Sequence, residues 1–361
     1  MSLLYKPDWE EVQQRYRAWW AGEALDRCAI WVTAPRDGVP EAAPPAMPED
    51  PIQRWTDLDF ISRLNDFEHS RTFYGGEAFP IWHGGYPGHV DLHVFLGCPL
   101  SLDHETGWAT PILNDADWDV RTLKIDKNGR WWKFGLEMLR RAVAESRGKS
   151  IPSIGAFGSC GDTLAALRGS ERLLYDLLDC PDRVREADLY LMDLWIEVYN
   201  TYYDIIRDAA EGSTCWFPLW SPGKFYAAQC DFSYMISPKS FREVFLPVVE
   251  RQTRFLDHTV YHVDGVAAFR HIPALCELPR LQALQVLPGA GKPSPLRYMD
   301  SLKTVQAAHK NLWISIPSDE VEQALGALSA RGLWIETSCQ TEAEARKLLE
   351  DAKKWSRDRK V

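Results

Sequence analysis

The apolar positions of this chain fall into two alternating periods. Residues 8–21 place Trp9, Val12, Tyr16 and Trp19/Trp20 on one stripe with charges opposite, which predicts an amphipathic helix. "CAIWVTAP" (28–35) is a short apolar run stopped by Pro35, the pattern of a first buried strand. Residues 37–50 are a proline-rich connector, and residues 51–73 read as helical. The segment "GGEAFPIWHGGYPGHVDLHVFLGCP" mixes Gly, Pro, His and aromatics in a way that suits a functional loop better than a packed element.

From about residue 130 the alternation becomes regular. "RWWKFGLEMLRRAVAES" predicts a helix, and "SIPSIGAFGS" a short strand opening into glycines. A helix, break and helix follow, with Asp162 or Thr163 as N-cap and Pro181 restarting the second part. "STCWFPLW" is strand-like, and "SPKSFREVFLPVVERQTRFLD" is a helix opened by Ser237-Pro238. Then "TVYHVDG", "LQALQVLP", "NLWISIP" and "LWIETS" read as strands, each followed by a helical stretch.

Short apolar strands alternating with amphipathic helices imply a parallel sheet covered by helices. With about eight strand candidates and no GxGxxG after the first, the expected fold is an α/β (β/α)8 TIM barrel with an N-terminal helical extension. A doubly wound open sheet is the alternative. The expected organisation is a single domain, with residues 1–95 as the extension and first barrel strand and residues 96–361 as the remainder. In a barrel, chemistry sits on the loops after the strands' carboxyl ends. Those ends would be Cys160-Gly161-Asp162, Trp220-Ser221, His262-Val263-Asp264, Gln285, Ser315 and Glu336-Thr337-Ser338-Cys339.

Charge narrows the function. A net charge of −10 with no Lys/Arg-rich stretch disfavours nucleic acid and anionic membranes as partners. No apolar run approaches the roughly 20 residues of a membrane helix, and the charged start lacks a signal peptide's apolar region. Eight scattered cysteines without a CxxC pair read as reduced thiols, so a cytoplasmic protein is expected. Sixteen Trp are many, and some are expected to line a cleft.

Several side chains are candidates for that cleft. Trp216, Trp220 and Tyr226 in one segment and Trp82 and His83 in another could form an aromatic wall for flat rings or cations, while Phe217 and Phe225 suit the core. Lys224 and Arg168 could hold a substrate carboxylate, though Arg168 reads better as a surface charge. Asp162 is either an acid–base group or a helix cap, and Gln229 and Asp231 are further mouth candidates. His89 and His93 would need a helix to act together, which the surrounding glycines oppose. In "YHVDG", His262 and Asp264 share one strand face and can aim at one point. They could move protons, hold a metal, or sit in a hydrogen-bonded turn.

Several segments together resemble the uroporphyrinogen decarboxylase superfamily. They are "IPSIGAFGSCGDTLAALRGSERLLYDLLDCPDRVREA", "DFSYMISPKSFREVFLPVVERQTRFL" and "YHVDG", and the resemblance covers roughly residues 95–355. It implies a (β/α)8 barrel of one of two kinds. The tetrapyrrole decarboxylases carry "RQAGR" and "FDSWAG" motifs, where this chain has "VTAPRDG" and "FPLWSPG". The corrinoid-linked methyltransferases hold zinc with "HxC" and a late Cys. The resemblance to them implies Zn2+ on His262, Asp264 and Cys339, with Glu336 as a spare ligand and Asp264 standing where that branch keeps Cys. It further implies methyl transfer between a small methylated substrate or thiol and a corrinoid carried by a separate protein, with His262, Asp264 and Asp162 as catalytic groups. The alternatives are a metal-free decarboxylase-like lyase on a small carboxylic acid, or a non-catalytic binder of methylated amines or aromatics. A homodimer is a further expectation.

Overall fold

The computed structural model describes residues 2–359. Its strands are β1 (Ala29–Pro35), β2 (Thr72–Gly76), β3 (Ile81–Trp82), β4 (Leu100–Leu102), β5 (Gly107–Ala109), β6 (Ile151–Pro152), β7 (Phe225–Gln229), β8 (His258–Asp264), β9 (Ala283–Leu287), β10 (Asn311–Ser315) and β11 (Leu333–Ser338). The main sheet runs β2-β1-β11-β10-β9-β8-β7, parallel throughout except that β2 is antiparallel to β1. β3 and β6 form a separate parallel pair, and β4 and β5 a hairpin. Past β6, Ile154 N–H donates to Thr214 O at 3.0 Å and Ser153 Oγ to Cys215 O at 2.8 Å, tying the β3–β6 pair to the segment before β7, while Glu77 N–H extends the β1–β2 contact to Ile30 O at 2.9 Å. The protein is therefore a mixed α/β structure built on a parallel sheet. No helix among the described residues is long and apolar enough to cross a membrane.

The parallel strands are almost wholly buried, as their runs of Val, Ile, Leu, Ala and Trp require when helices cover the sheet. One apolar cluster extends from Leu3 to Ala352. The aromatic excess is largely explained at the sheet's amino end. There the helix Trp9–Trp20 turns its buried stripe across the starts of the strands. Trp20 packs on Phe225 and His258, the first residues of β7 and β8, at 5.4 and 4.6 Å between ring centroids. Asn311, the first residue of β10, donates from Nδ2 to Trp19 O at 2.6 Å. Indole N–H groups that would be costly to bury alone reach carbonyls: Trp19 to Gly332 O and Trp20 to Trp220 O.

Two expectations need correction. "STCWFPLW" is not a strand; it makes only an isolated bridge between Ser213 and Ser221, and the strand lies at Phe225–Gln229. Pro218 and Pro222 remove backbone donors on either side of Leu219-Trp220-Ser221, which opposes a ladder there. The helix expected over 237–257 is also not uniform. A π-helical turn, Phe241–Phe245, interrupts it before Leu246–Phe255. Pro247 has no N–H to close on the carbonyl four residues back, and the loosened turn accommodates that loss.

A buried ion pair ties the first strand to the loop after β2. Arg27 donates from Nη1 to Glu77 Oε2 at 2.8 Å, and Ile30 N–H donates to the same oxygen at 2.6 Å. Both side chains are at most 5% exposed. Removing one partner strands the other charge away from water. Glu77→Leu should therefore lower the unfolding free energy by about 3 kcal/mol or more in a denaturant titration. A loss below about 1 kcal/mol would contradict this account of the pair.

Candidate functional site

Parallel strands in register bring their carboxyl ends to one edge. Gln229 of β7, His262 of β8 and Gln285 of β9 are direct register partners, so they stand side by side at one level of the sheet. His262 Nδ1 lies 2.5 Å from Gln285 Oε1. With an amide oxygen as acceptor, Nδ1 carries the hydrogen and Nε2 keeps its lone pair. Burial pushes the imidazole down, against the pull of Gln285 and the charges of Asp264 and Asp162. The ring is thus held neutral, as a base with one nitrogen free. Trp216 and Phe217 meet its face edge-on, at 5.3 and 5.5 Å.

Asp162 reaches the same edge from the helix Cys160–Arg168. It occupies the first turn, and Ser159 is the N-cap, so the capping reading of Asp162 does not hold. Its Oδ1 accepts from Phe232 N–H at 2.9 Å and its Oδ2 from Gln229 Nε2 at 3.1 Å. The adjoining Gly161 permits this approach. A Cβ there would lie 2.9 Å from Cys230 Sγ and 2.7 Å from the Phe245 ring. Burial raises the Asp162 carboxyl, while these hydrogen bonds and His262 oppose the rise. Asp231, just past β7, opens to the cleft. It is nevertheless raised to about 7 by its enclosed surroundings and by the charges of Asp162 and Asp264.

Asp91 completes the group. Its Oδ2 accepts from the Tyr86 hydroxyl at 2.8 Å, with His93 Nδ1 3.8 Å away. Its Oδ1 is buried with no hydrogen-bond partner among the described residues, and the residue is 5% exposed. Burial, together with the charge of Asp162, pushes this carboxyl up to about 7 against the Tyr86 hydrogen bond. Asp91, Asp162, Gln229 and Asp231 line a cleft of about 670 Å³, with Tyr86 and Trp108 beside them. No Lys or Arg occurs among the described residues lining it.

Other expected site residues lie elsewhere. Trp220 is fully buried against Trp9 and Tyr16, and its Nε1 donates to Ala210 O at 2.8 Å. Lys224 precedes β7, donates to Asn200 Oδ1 at 2.9 Å and lies over the Phe255 ring. Both are at the sheet's amino end, because the strand begins after them. Tyr226, the second residue of β7, is also core; its hydroxyl accepts from Phe157 N–H at 2.9 Å. Trp82 is buried in β3 and does not line the cleft. His83 is exposed, with its backbone N–H held by Asn65 Oδ1, and lies outside the cleft lining. Arg168 is neither a surface charge nor a substrate clamp. It is 6% exposed and bonded to Asp176 and the carbonyls of Leu113 and Asp115. Of the aromatic candidates, Trp216 alone reaches His262.

The expected zinc ligands are not gathered at one point. Among the described residues no three His, Cys, Asp or Glu side chains converge as a metal would require. Cys339 follows β11, three strand places from β8, roughly 14 Å along a sheet. Its thiol is raised by burial and neighbours Ser318 and Glu344, not His262. Glu336 hydrogen-bonds Ser315 Oγ at 2.6 Å in a separate cleft with Trp31 and Thr33. The residues present do not fit the zinc site, so no chemistry is routed through one.

Asp91 and Trp108 were missed by sequence reasoning. The one signal for Asp91 was its place between two histidines in a glycine- and proline-rich loop. Trp108 sits on the β4–β5 hairpin, which the pattern did not disclose.

No protein-family model matches the chain, and no curated protein does. Among solved structures the chain is similar to a methyltransferase from Methanosarcina mazei, with a TM-score of 0.62 and 14% identity over 95% of this chain and 98% of that one. At that identity the likeness is one of fold.

The raised carboxyls carry a stability consequence. A carboxyl whose folded pKa lies above its unfolded value contributes stability that is complete below the unfolded pKa and is lost as pH rises through the folded one. For Asp91 and Asp231 the window runs from about 4 to about 7. These two carboxyls therefore contribute a fall in unfolding free energy between about pH 4 and about pH 7. Asp91→Asn should remove part of it, so that the difference between the two proteins in paired denaturant titrations changes with pH over that range. Equal slopes in the two proteins would contradict the assignment.

Proposed function

We propose that this chain is a methyl-transferring enzyme of the uroporphyrinogen decarboxylase superfamily, with a (β/α)8 barrel as its framework. It would exchange a methyl group between a small methylated substrate and a corrinoid carried by a separate protein. Two things support the fold part of the reading. The parallel strands follow chain order from β7 to β11 and return to β1, as a barrel's do. The likeness to the methyltransferase also spans nearly the whole of both chains.

The observation that carries the chemistry is the constellation at the strand ends. A neutral His262 held by Gln285 neighbours Asp162, which is held by Gln229 and Phe232 N–H. These groups suit proton handling. Asp162, raised by burial, can give a proton to a leaving atom. His262 Nε2 can take one, with Asp264 two residues on along the same strand face. Exposed Tyr86 and Trp108 beside the cleft, with Met235, offer apolar surface on which a carrier protein could rest. A thiolate or carboxylate substrate is less well served, because the described residues of the cleft lining present carboxyls and no Lys or Arg.

The test is transfer between methylcobalamin and candidate methyl donors or acceptors, followed by the corrinoid's visible spectrum. We expect transfer that chelators leave unchanged and that Asp162→Asn slows by about 100-fold. Carbon dioxide release from a carboxylic acid, with no methyl transfer to or from any donor class, would overturn this reading in favour of a lyase.

A further inference from the structure

The cleft floor has an electrostatic imbalance that its own residues do not resolve. Asp91, Asp162 and Asp231 all face it, and each hydrogen bond that Asp91 and Asp162 accept there comes from a neutral donor: the Tyr86 hydroxyl, Gln229 Nε2 or Phe232 N–H. Two other enclosed carboxylates are paired with guanidinium groups, Glu77 with Arg27 and Asp176 with Arg168, while Asp188 is buried away from the cleft without one among the described residues. Asp91 lines the cleft, and its Oδ1 is buried with no hydrogen-bond partner among the described residues. A buried carboxylate oxygen without a donor costs free energy that a bound counter-charge can offset.

The geometry points to an organic cation as the missing partner: we propose that the cleft binds an alkylated ammonium, with Asp91 as its principal counter-charge and Tyr86 and Trp108 as its aromatic wall. Two observations favour this over a metal ion. No three potential ligands converge among the described residues. The carboxyls share the cleft with two large aromatic side chains that are about half exposed, 48% for Tyr86 and 57% for Trp108. Aromatic faces attract alkylammonium groups, which shed water easily, and offer little to a strongly hydrated divalent ion. A cleft of about 670 Å³ accommodates such a group with room to spare for the rest of a small substrate. The inference rests on the methyl-transfer reading only in taking the cation to be a methylated one.

The test is isothermal titration calorimetry of the full chain with tetramethylammonium chloride at fixed ionic strength, with tert-butanol as the neutral analogue of similar shape. We expect saturable binding of the cation, none of the alcohol, and at least tenfold weaker affinity in Asp91→Asn. Asp231→Asn, at an exposed position, serves if Asp91→Asn does not fold, and should weaken binding several-fold. Absence of cation binding would overturn the proposal, as would equal binding of the alcohol or affinity unchanged in the variants. Binding of calcium or magnesium alone would overturn it as well. Cation binding without methyl transfer would leave this inference standing and sink the proposed reaction. Methyl transfer from neutral donors without cation binding would do the reverse.

Discussion

Carboxyl groups repel when ionised, and enclosure away from water strengthens that repulsion. Everything distinctive about the carboxyl edge of this sheet follows from how the fold crowds them there. β7 and β8 end side by side, which brings Asp231 and Asp264 near each other, and the helix Cys160–Arg168 adds Asp162 between them and Asp91. Neutral donors hold these groups in place without cancelling their charge. The result is a pocket that favours protons or cations and resists anions. That bias in turn selects among the reactions the framework could host.

The opposite end of the sheet has the reverse character. Trp9, Tyr16, Trp19 and Trp20 from the first helix lock onto Trp220, Phe225 and Trp334. The Tyr16 hydroxyl and the Trp19 and Trp20 indole N–H groups donate to backbone carbonyls. Such a stopper is rigid, and rigidity at one end helps keep the register that aligns Gln229, His262 and Gln285 at the other. The aromatic wealth of the chain thus serves the scaffold more than the cleft.

The alternation of helix and strand was legible because each element carries its own period. The helix Arg130–Ser146 and the late strands lie where the pattern put them. The one misplaced strand explains two of the misplaced site residues. Taking "STCWFPLW" as the strand moved Trp220 and Lys224 to the wrong end of the sheet, since a strand's direction decides which end its flanks occupy. Asp162 and His262 were recognisable from the expected strand ends, and Gln229 and Asp231 only as further candidates near the mouth. Asp91 was not, because its role comes from a loop folding over the cleft, and nothing in local periodicity encodes a contact with Tyr86 five residues back. The zinc ligand set came from resemblance, and it fails where Cys339 belongs to a strand remote from β8.

The central claim is that the cleft holds carboxyls lacking a counter-charge, with Asp91 the most enclosed of them. Carboxyl-carbon NMR of aspartate-labelled protein, with Asp91 assigned through Asp91→Asn, measures this directly. The account predicts that Asp91 titrates near 7 in the free protein and well below that once tetramethylammonium is added. Titration in the ordinary carboxylate range near 4, unmoved by the cation, would contradict it.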